Sequence, residues 1–252
     1  MTVKHLICDW DETLVHTLPT VKNAYDAVFD YLNMGRKSFE EIKKITGGKA
    51  KSEIFSYMLF GKGSDDFDTN EELTLSTKDG EKVLSAQDAS ELAQKSYDIF
   101  YDYINKNHIK ELKIMEGALE FLNYCKAQNI SLYILSSKSP EFLKKETEAL
   151  KLDHFFTAIY GSPAGATGEG KKLEKPNIDA FLALFGGNPP PAELCCVIGD
   201  GKADEKLAEN IGCPCIIVNE KCNTCVPKLS LAINRLNELN RKPLIAFTKS
   251  AI

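Results

Sequence analysis

Short apolar runs alternate with stretches of helical periodicity along most of this chain. The runs are Lys4 to Asp9, Ile130 to Leu135, Phe155 to Tyr160, Leu194 to Ile198 and Cys215 to Val218. Runs this short and this continuous suit strands buried on both faces. Between them, Gly117 to Gln128, Asn177 to Phe185 and Ala203 to Ile211 repeat apolar positions near every 3.6 residues. Strand and helix in alternation predict parallel βαβ units with right-handed connections and helices on both sides of one sheet. The interval from about Thr17 to Lys113 breaks the rhythm. Its apolar positions at Ala24, Tyr25, Val28, Phe29 and Leu32, then Phe39, Ile42 and Ile45, are helical, and Gly47-Gly48 ends that helix. Glu72 to Thr77 with Asp79-Gly80 reads equally as a small hairpin or a loop, and a long helix from Ala86 to about Asn105 follows. A mostly helical module, 17–112, is thus expected as an insertion in an α/β core built from 1–16 and 113–252.

Composition narrows the class. The chain has 252 residues, 43% hydrophobic and 27% charged, enough to bury a core in one or two domains. Lys and Arg number 31 against 36 Asp and Glu, a net charge of −5, which speaks against a general grip on nucleic acid or anionic membrane. No apolar stretch approaches the ~20 residues that a membrane helix requires. The N-terminal apolar segment is too short for a secretory signal, so a cytoplasmic protein with free thiols is expected. Among the eight cysteines, Cys213, Cys215, Cys222 and Cys225 cluster. Four sulfurs suit tetrahedral zinc, but Cys215 opens an apolar run where cysteine serves as a small buried hydrophobe. Both readings stand at this point. His5, His16, His108 and His154 show no ligand spacing.

Polar residues collect where the predicted strands stop. The first ends in Asp9-Trp10-Asp11-Glu12-Thr13, the second in Ser136-Ser137-Lys138, and the fourth in Gly199-Asp200 with Asp204 beyond; Lys175-Pro176-Asn177 opens a helix between them. In an open α/β sheet, ligands bind outside the carboxyl ends of the strands. Several carboxylates and a lysine at one edge repel or desolvate one another unless a cation and an anionic substrate join them. Such oxygen-rich sets suit Mg²⁺ bridged to a phosphate.

Asp9-x-Asp11-x-Thr13, Ser136, Lys175-Pro176 and Gly199-Asp200-x3-Asp204, in this order, resemble the four motifs of the haloacid dehalogenase (HAD) superfamily. The insertion after the first strand is similar to that of its phosphoglycolate-phosphatase-like branch, which carries a helical, C1-type cap. The resemblance implies a doubly wound, Rossmann-like parallel core with an inserted cap, and a Mg²⁺-dependent phosphomonoesterase acting on a small phosphorylated metabolite, as a monomer or homodimer. It implies Asp9 as nucleophile and Asp11 as general acid and base. Ser136, Ser137 and Lys175 would hold phosphoryl oxygens, and Asp9, Asp11 (through its main-chain carbonyl), Asp200 and Asp204 the metal. Lys49 and Lys51, in a loop similar to the branch's substrate-specificity loop, would meet the substrate. Glu12 departs from the pattern, which usually has glycine there, and adds negative charge near a phosphate site. The alternatives are a sugar-phosphate mutase or phosphotransferase of the same superfamily, or a catalytically weak phosphate-binding regulatory protein.

Overall fold

A computed structural model describes residues 2–46, 53–163, 167–168, 171–219 and 225–241. The chain divides into two compact units, Met1–Thr17 with Leu112–Ile252, and Leu18–Glu111.

The first unit holds a five-stranded parallel sheet. In chain order its strands are β1 (His5–Cys8), β2 (Ser131–Ser136), β3 (Phe156–Gly161), β4 (Cys195–Gly199) and β5 (Cys215–Ile217), and across the sheet they run β5-β4-β1-β2-β3. Alternation sends successive side chains to opposite faces. Leu6 and Cys8 of β1, Leu132 and Ile134 of β2, and Cys196 and Ile198 of β4 enter one apolar core. Ile7, Tyr133, Leu135, Cys195 and Val197 enter the other. Both faces are covered, which is why these strands read as unbroken apolar runs.

The helices of the insertion, in chain order, are α1 (Leu18–Tyr31), α2 (Phe39–Thr46), α3 (Ile54–Phe60) and α4 (Ala86–Glu111). The sheet-packing helices are α5 (Ala118–Ala127), α6 (Pro140–Ala149), α7 (Ile178–Leu184), α8 (Lys202–Ile211) and α9 (Leu229–Arg241). On the first face lie Phe121 and Leu122 of α5, Leu143 of α6 and Leu236 of α9, all fully buried; burying a side chain of this size contributes roughly 1.5–3 kcal/mol. On the second face lie Phe181 of α7 and Leu207 of α8. The segment Glu72–Thr77 pairs antiparallel with Gly80–Ser85, so the stretch that read as hairpin or loop is a hairpin. The second unit has its own core around Tyr25, Val28, Phe29, Phe55 and Met58. Among the described residues, no helix is long and apolar enough to cross a membrane.

Register sets the strand ends level. Cys8 pairs with Ile198 on one side and Ile134 on the other, and the Asp9 amide donates to the Ile198 carbonyl at 2.8 Å. The residues following β1, β2 and β4 therefore emerge at one edge of the sheet.

The thiols differ from the sequence expectation in one place. Cys8, Cys125, Cys195, Cys196, Cys213 and Cys215 are free, whereas Cys225 is disulfide-bonded. A disulfide sulfur is not the thiolate that zinc requires. Burial also pushes the Cys213 and Cys215 thiols up to about 12. These observations favour buried thiols over a four-cysteine zinc site; Cys222 lies outside the described residues.

Candidate active site

Four polypeptide segments meet at the carboxyl edge of the sheet. Asp9 follows β1 and is buried. Lys175 precedes α7, whose Asn177 cap accepts from the Asp179 amide at 3.0 Å. Asp200 follows β4, and its main-chain carbonyl accepts from the Asn219 side-chain amide at 3.3 Å. Asp204 lies in the first turn of α8 and accepts from the Gly201 amide at 3.3 Å, a favourable place for an anion near a helix N-terminus. Gly199 allows this approach: a Cβ there would lie 2.1 Å from the Asp204 carboxyl carbon.

The Lys175 ammonium lies 2.5 Å from Asp9 Oδ1 and 2.7 Å from Asp204 Oδ1, with only 6% of its side chain exposed. Oxygens of Asp9, Asp200 and Asp204 all fall within 4.8 Å of one another. Three carboxylates facing one ammonium leave a formal deficit of two positive charges. The chemistry of this set, hard oxygen donors with excess negative charge, fits a divalent cation such as Mg²⁺. The Asp11 carboxylate is not in this group; its Oδ1 lies 2.7 Å from Lys138 Nζ.

Burial pushes the Asp9 carboxyl up to about 7; Lys175 opposes this shift and Asp204 adds to it. Asp200 moves the same way, first through burial and then through Asp204. Lys175 moves up as well, because Asp9 and Asp204 outweigh the burial that pulls it down. For Asp9 the fold keeps a proton that the unfolded chain releases near its ordinary value, so the folded state binds more protons across the interval between them. Stability of the metal-free protein therefore falls as pH rises from about 4 through about 7. Thermal melts in chelator between pH 5 and pH 8 are expected to show a lower Tm at the higher pH, and a rising Tm would contradict the buried, charge-deficient Asp9.

Ser136 ends β2 buried, and its hydroxyl accepts from the Lys138 amide at 3.1 Å; Ser137 beside it is exposed. Lys49 and Lys51 lie outside the described residues. Glu12 adopts φ +56°, the left-handed region that explains why glycine suits this position. Its carboxylate accepts the Thr17 amide at 2.7 Å and lies 3.3 Å from His16 Nδ1. The added charge is thus engaged within its own loop.

Sequence reasoning missed one group. Trp10 is fully buried, and its indole N–H donates to Glu146 Oε2 at 2.6 Å. Lys138 Nζ donates to both oxygens of Glu146, at 2.6 and 2.7 Å. The available signal was a glutamate on the apolar stripe of α6, three residues after Leu143, where a carboxylate requires partners.

The molecule is thus a parallel α/β protein with an acidic, lysine-bridged cluster at the carboxyl edge of its sheet. The family described as haloacid dehalogenase-like hydrolase matches residues 6–218, and the chain belongs to it. It is 21% identical over 219 residues to a phosphoglycolate phosphatase of Pseudomonas savastanoi pv. phaseolicola, covering 86% of this chain and 69% of that one. Its fold is similar to that of a predicted phosphoglycolate phosphatase from Haemophilus somnus, at TM-score 0.65 and 17% identity, covering 92% of this chain and 97% of the other. It is also similar to that of a protein from Thermotoga maritima provisionally designated β-phosphoglucomutase, at TM-score 0.62 and 18% identity over 94% and 99%.

Proposed function

We propose that this protein is a Mg²⁺-dependent phosphomonoester hydrolase that acts on a small phosphorylated metabolite through an aspartyl-phosphate on Asp9. The observation that carries the reading is the Lys175 ammonium held between Asp9 and Asp204 with Asp200 alongside. A buried carboxylate at a strand end, beside a fixed cation, is placed to attack phosphorus while charge on the phosphoryl oxygens is neutralised. Asp9 forms the new O–P bond as the ester P–O bond breaks, and Asp11 gives its proton to the departing oxygen. In the second half, Asp11 takes a proton from water as the water oxygen attacks phosphorus, and Asp9 is released with inorganic phosphate. Lys175 and the Ser136 hydroxyl bind the phosphoryl oxygens, with Ser137 at the edge of this pocket. Mg²⁺, when bound by Asp9, Asp200, Asp204 and the Asp11 carbonyl, supplies the positive charge that the cluster lacks. The unit Leu18–Glu111 serves as the cap that selects the ester, with Lys49 and Lys51 as its candidate specificity residues.

Phosphate release across phosphoglycolate, sugar monophosphates, nucleotides and phosphoserine tests this. Release with Mg²⁺ and none with chelator is expected, together with a Mg²⁺-induced rise in Tm larger at pH 8 than at pH 5, because the cation binds ionised carboxylates. No release from folded protein on any ester would overturn the hydrolase reading. The fold shared with the Thermotoga protein favours a second one, and isomerised sugar phosphate with little free phosphate would establish that transferase activity instead.

A further inference from the structure

We infer that Lys138, pinned by the buried Glu146 and Trp10, is a positioning residue that orients the Asp11 carboxylate for proton transfer; this rests on the reading of Asp11 as the proton-handling group. The Asp11 side chain is 35% exposed. It sits in a tight turn closed by main-chain bonds, from the Glu12 amide to the Val15 carbonyl at 2.8 Å and from the Leu14 and Val15 amides to the Trp10 carbonyl at 3.0 and 3.1 Å, which order the backbone and leave the carboxylate to its own rotamers. A carboxyl group so placed has several rotamers, yet proton transfer requires it within roughly 2.6–3.2 Å of the departing oxygen. Lys138 Nζ holds Asp11 Oδ1 at 2.7 Å. A lysine is itself flexible along four methylenes and orients nothing unless its head is fixed. Glu146 fixes it, with both carboxylate oxygens on the ammonium. The Glu146 side chain is 2% exposed and is held in turn by the Trp10 N–H.

The contacts close a ring. Trp10 donates to Glu146, Glu146 receives Lys138, Lys138 reaches Asp11, and Asp11 is the next residue after Trp10. Glu146 offsets the Lys138 charge, so the ammonium meets Asp11 as part of a neutral pair. Buried ion pairs of this kind are often replaceable by apolar residues at no loss of stability. A purely structural role would not require the pair to terminate on a carboxylate of the reaction centre.

The leaving group separates positioning from folding. kcat/KM covers the steps up to formation of the Asp9 phosphoenzyme. An alkoxide needs a proton from Asp11 to depart, whereas p-nitrophenolate departs as the anion. With Mg²⁺ present, Glu146→Gln and Lys138→Met are each expected to lower kcat/KM for an alkyl phosphate substrate about 100-fold, and for p-nitrophenyl phosphate by less than about 5-fold. Trp10→Phe, which removes the N–H donor together with part of the buried ring volume, shifts the same ratio in the same direction by a smaller factor. Equal losses on both substrates, or none on either, overturn the inference. If Glu146→Gln fails to fold, Lys138→Met at its partly exposed site decides alone. A readout apart from turnover is available because Trp10 is the sole tryptophan: Lys138→Met is expected to shift its emission through Glu146, and unchanged emission breaks the link. If wild type hydrolyses neither ester, or Asp9→Asn hydrolyses them as wild type does, it is the phosphatase reading that fails.

Discussion

Asp9→Asn is expected to lower turnover by about 10⁴-fold or more while the protein stays folded. The amide occupies the space of the carboxylate and still accepts a hydrogen bond from Lys175, but it is too weak a nucleophile to open the ester. The substitution also removes one of three negative charges that face a single buried ammonium. Lys175 keeps Asp204 at 2.7 Å, so no buried charge is left unpaired. Metal-free Asp9→Asn is therefore expected to melt no lower than wild type at pH 8, where the buried wild-type carboxylate is ionised. Steady-state kinetics on the best ester, a chemical quench for the phosphoenzyme and a thermal melt check all three consequences. Turnover above a tenth of wild type would remove Asp9 from the role of nucleophile.

Lys175→Met carries the largest expected cost to stability. The side chain is 6% exposed and bridges two carboxylates that are themselves nearly enclosed. Methionine fills the space but leaves Asp9 and Asp204 without their cation. Removing one partner of a buried ion pair typically costs about 3–5 kcal/mol, which for a chain of this size lowers Tm by roughly 2–4 °C per kcal/mol. Turnover is expected to fall about 10²–10³-fold as well, since charge spreading over the phosphoryl oxygens loses a fixed counter-charge. The pH dependence gives the loss a signature. Without Lys175 the opposing influence on Asp9 disappears, so its carboxyl moves further above its ordinary value and the folded state takes up protons more readily. The deficit in Tm relative to wild type should shrink as pH falls toward about 7, where wild-type Asp9 takes up its proton, and level off below that. A deficit that does not change with pH would show that lysine packing, not its charge, supports the site.

Several features were legible along the chain because they are local. Unbroken apolar runs marked strands covered on both faces, and helical periodicity marked the segments between them. The polar residues Asp9, Ser136 and Asp200 stood just where those runs stop. The run Glu72 to Ser85 stayed ambiguous because its outer positions are polar and exposed, so alternation alone did not separate hairpin from loop. The conformation of Glu12 was legible only as a departure from glycine. Its φ of +56° and its bonds to His16 and Thr17 appear once the turn is folded.

By itself the sequence determined the type of the five strands and of α5, α7 and α8, and the residues at the strand ends, since these follow from neighbours within one turn or one strand; α6 and α9 were not read along the chain. Tertiary structure alone decided which ends meet. The order β5-β4-β1-β2-β3 places Asp9 between the β2 and β4 termini. That same packing brings Lys175 and Asp204, 29 positions apart, to one ion pair. It also sets Glu146 against Trp10, 136 positions away. A buried carboxylate needs a donor in space, and no periodicity along the chain specifies which distant residue will supply it.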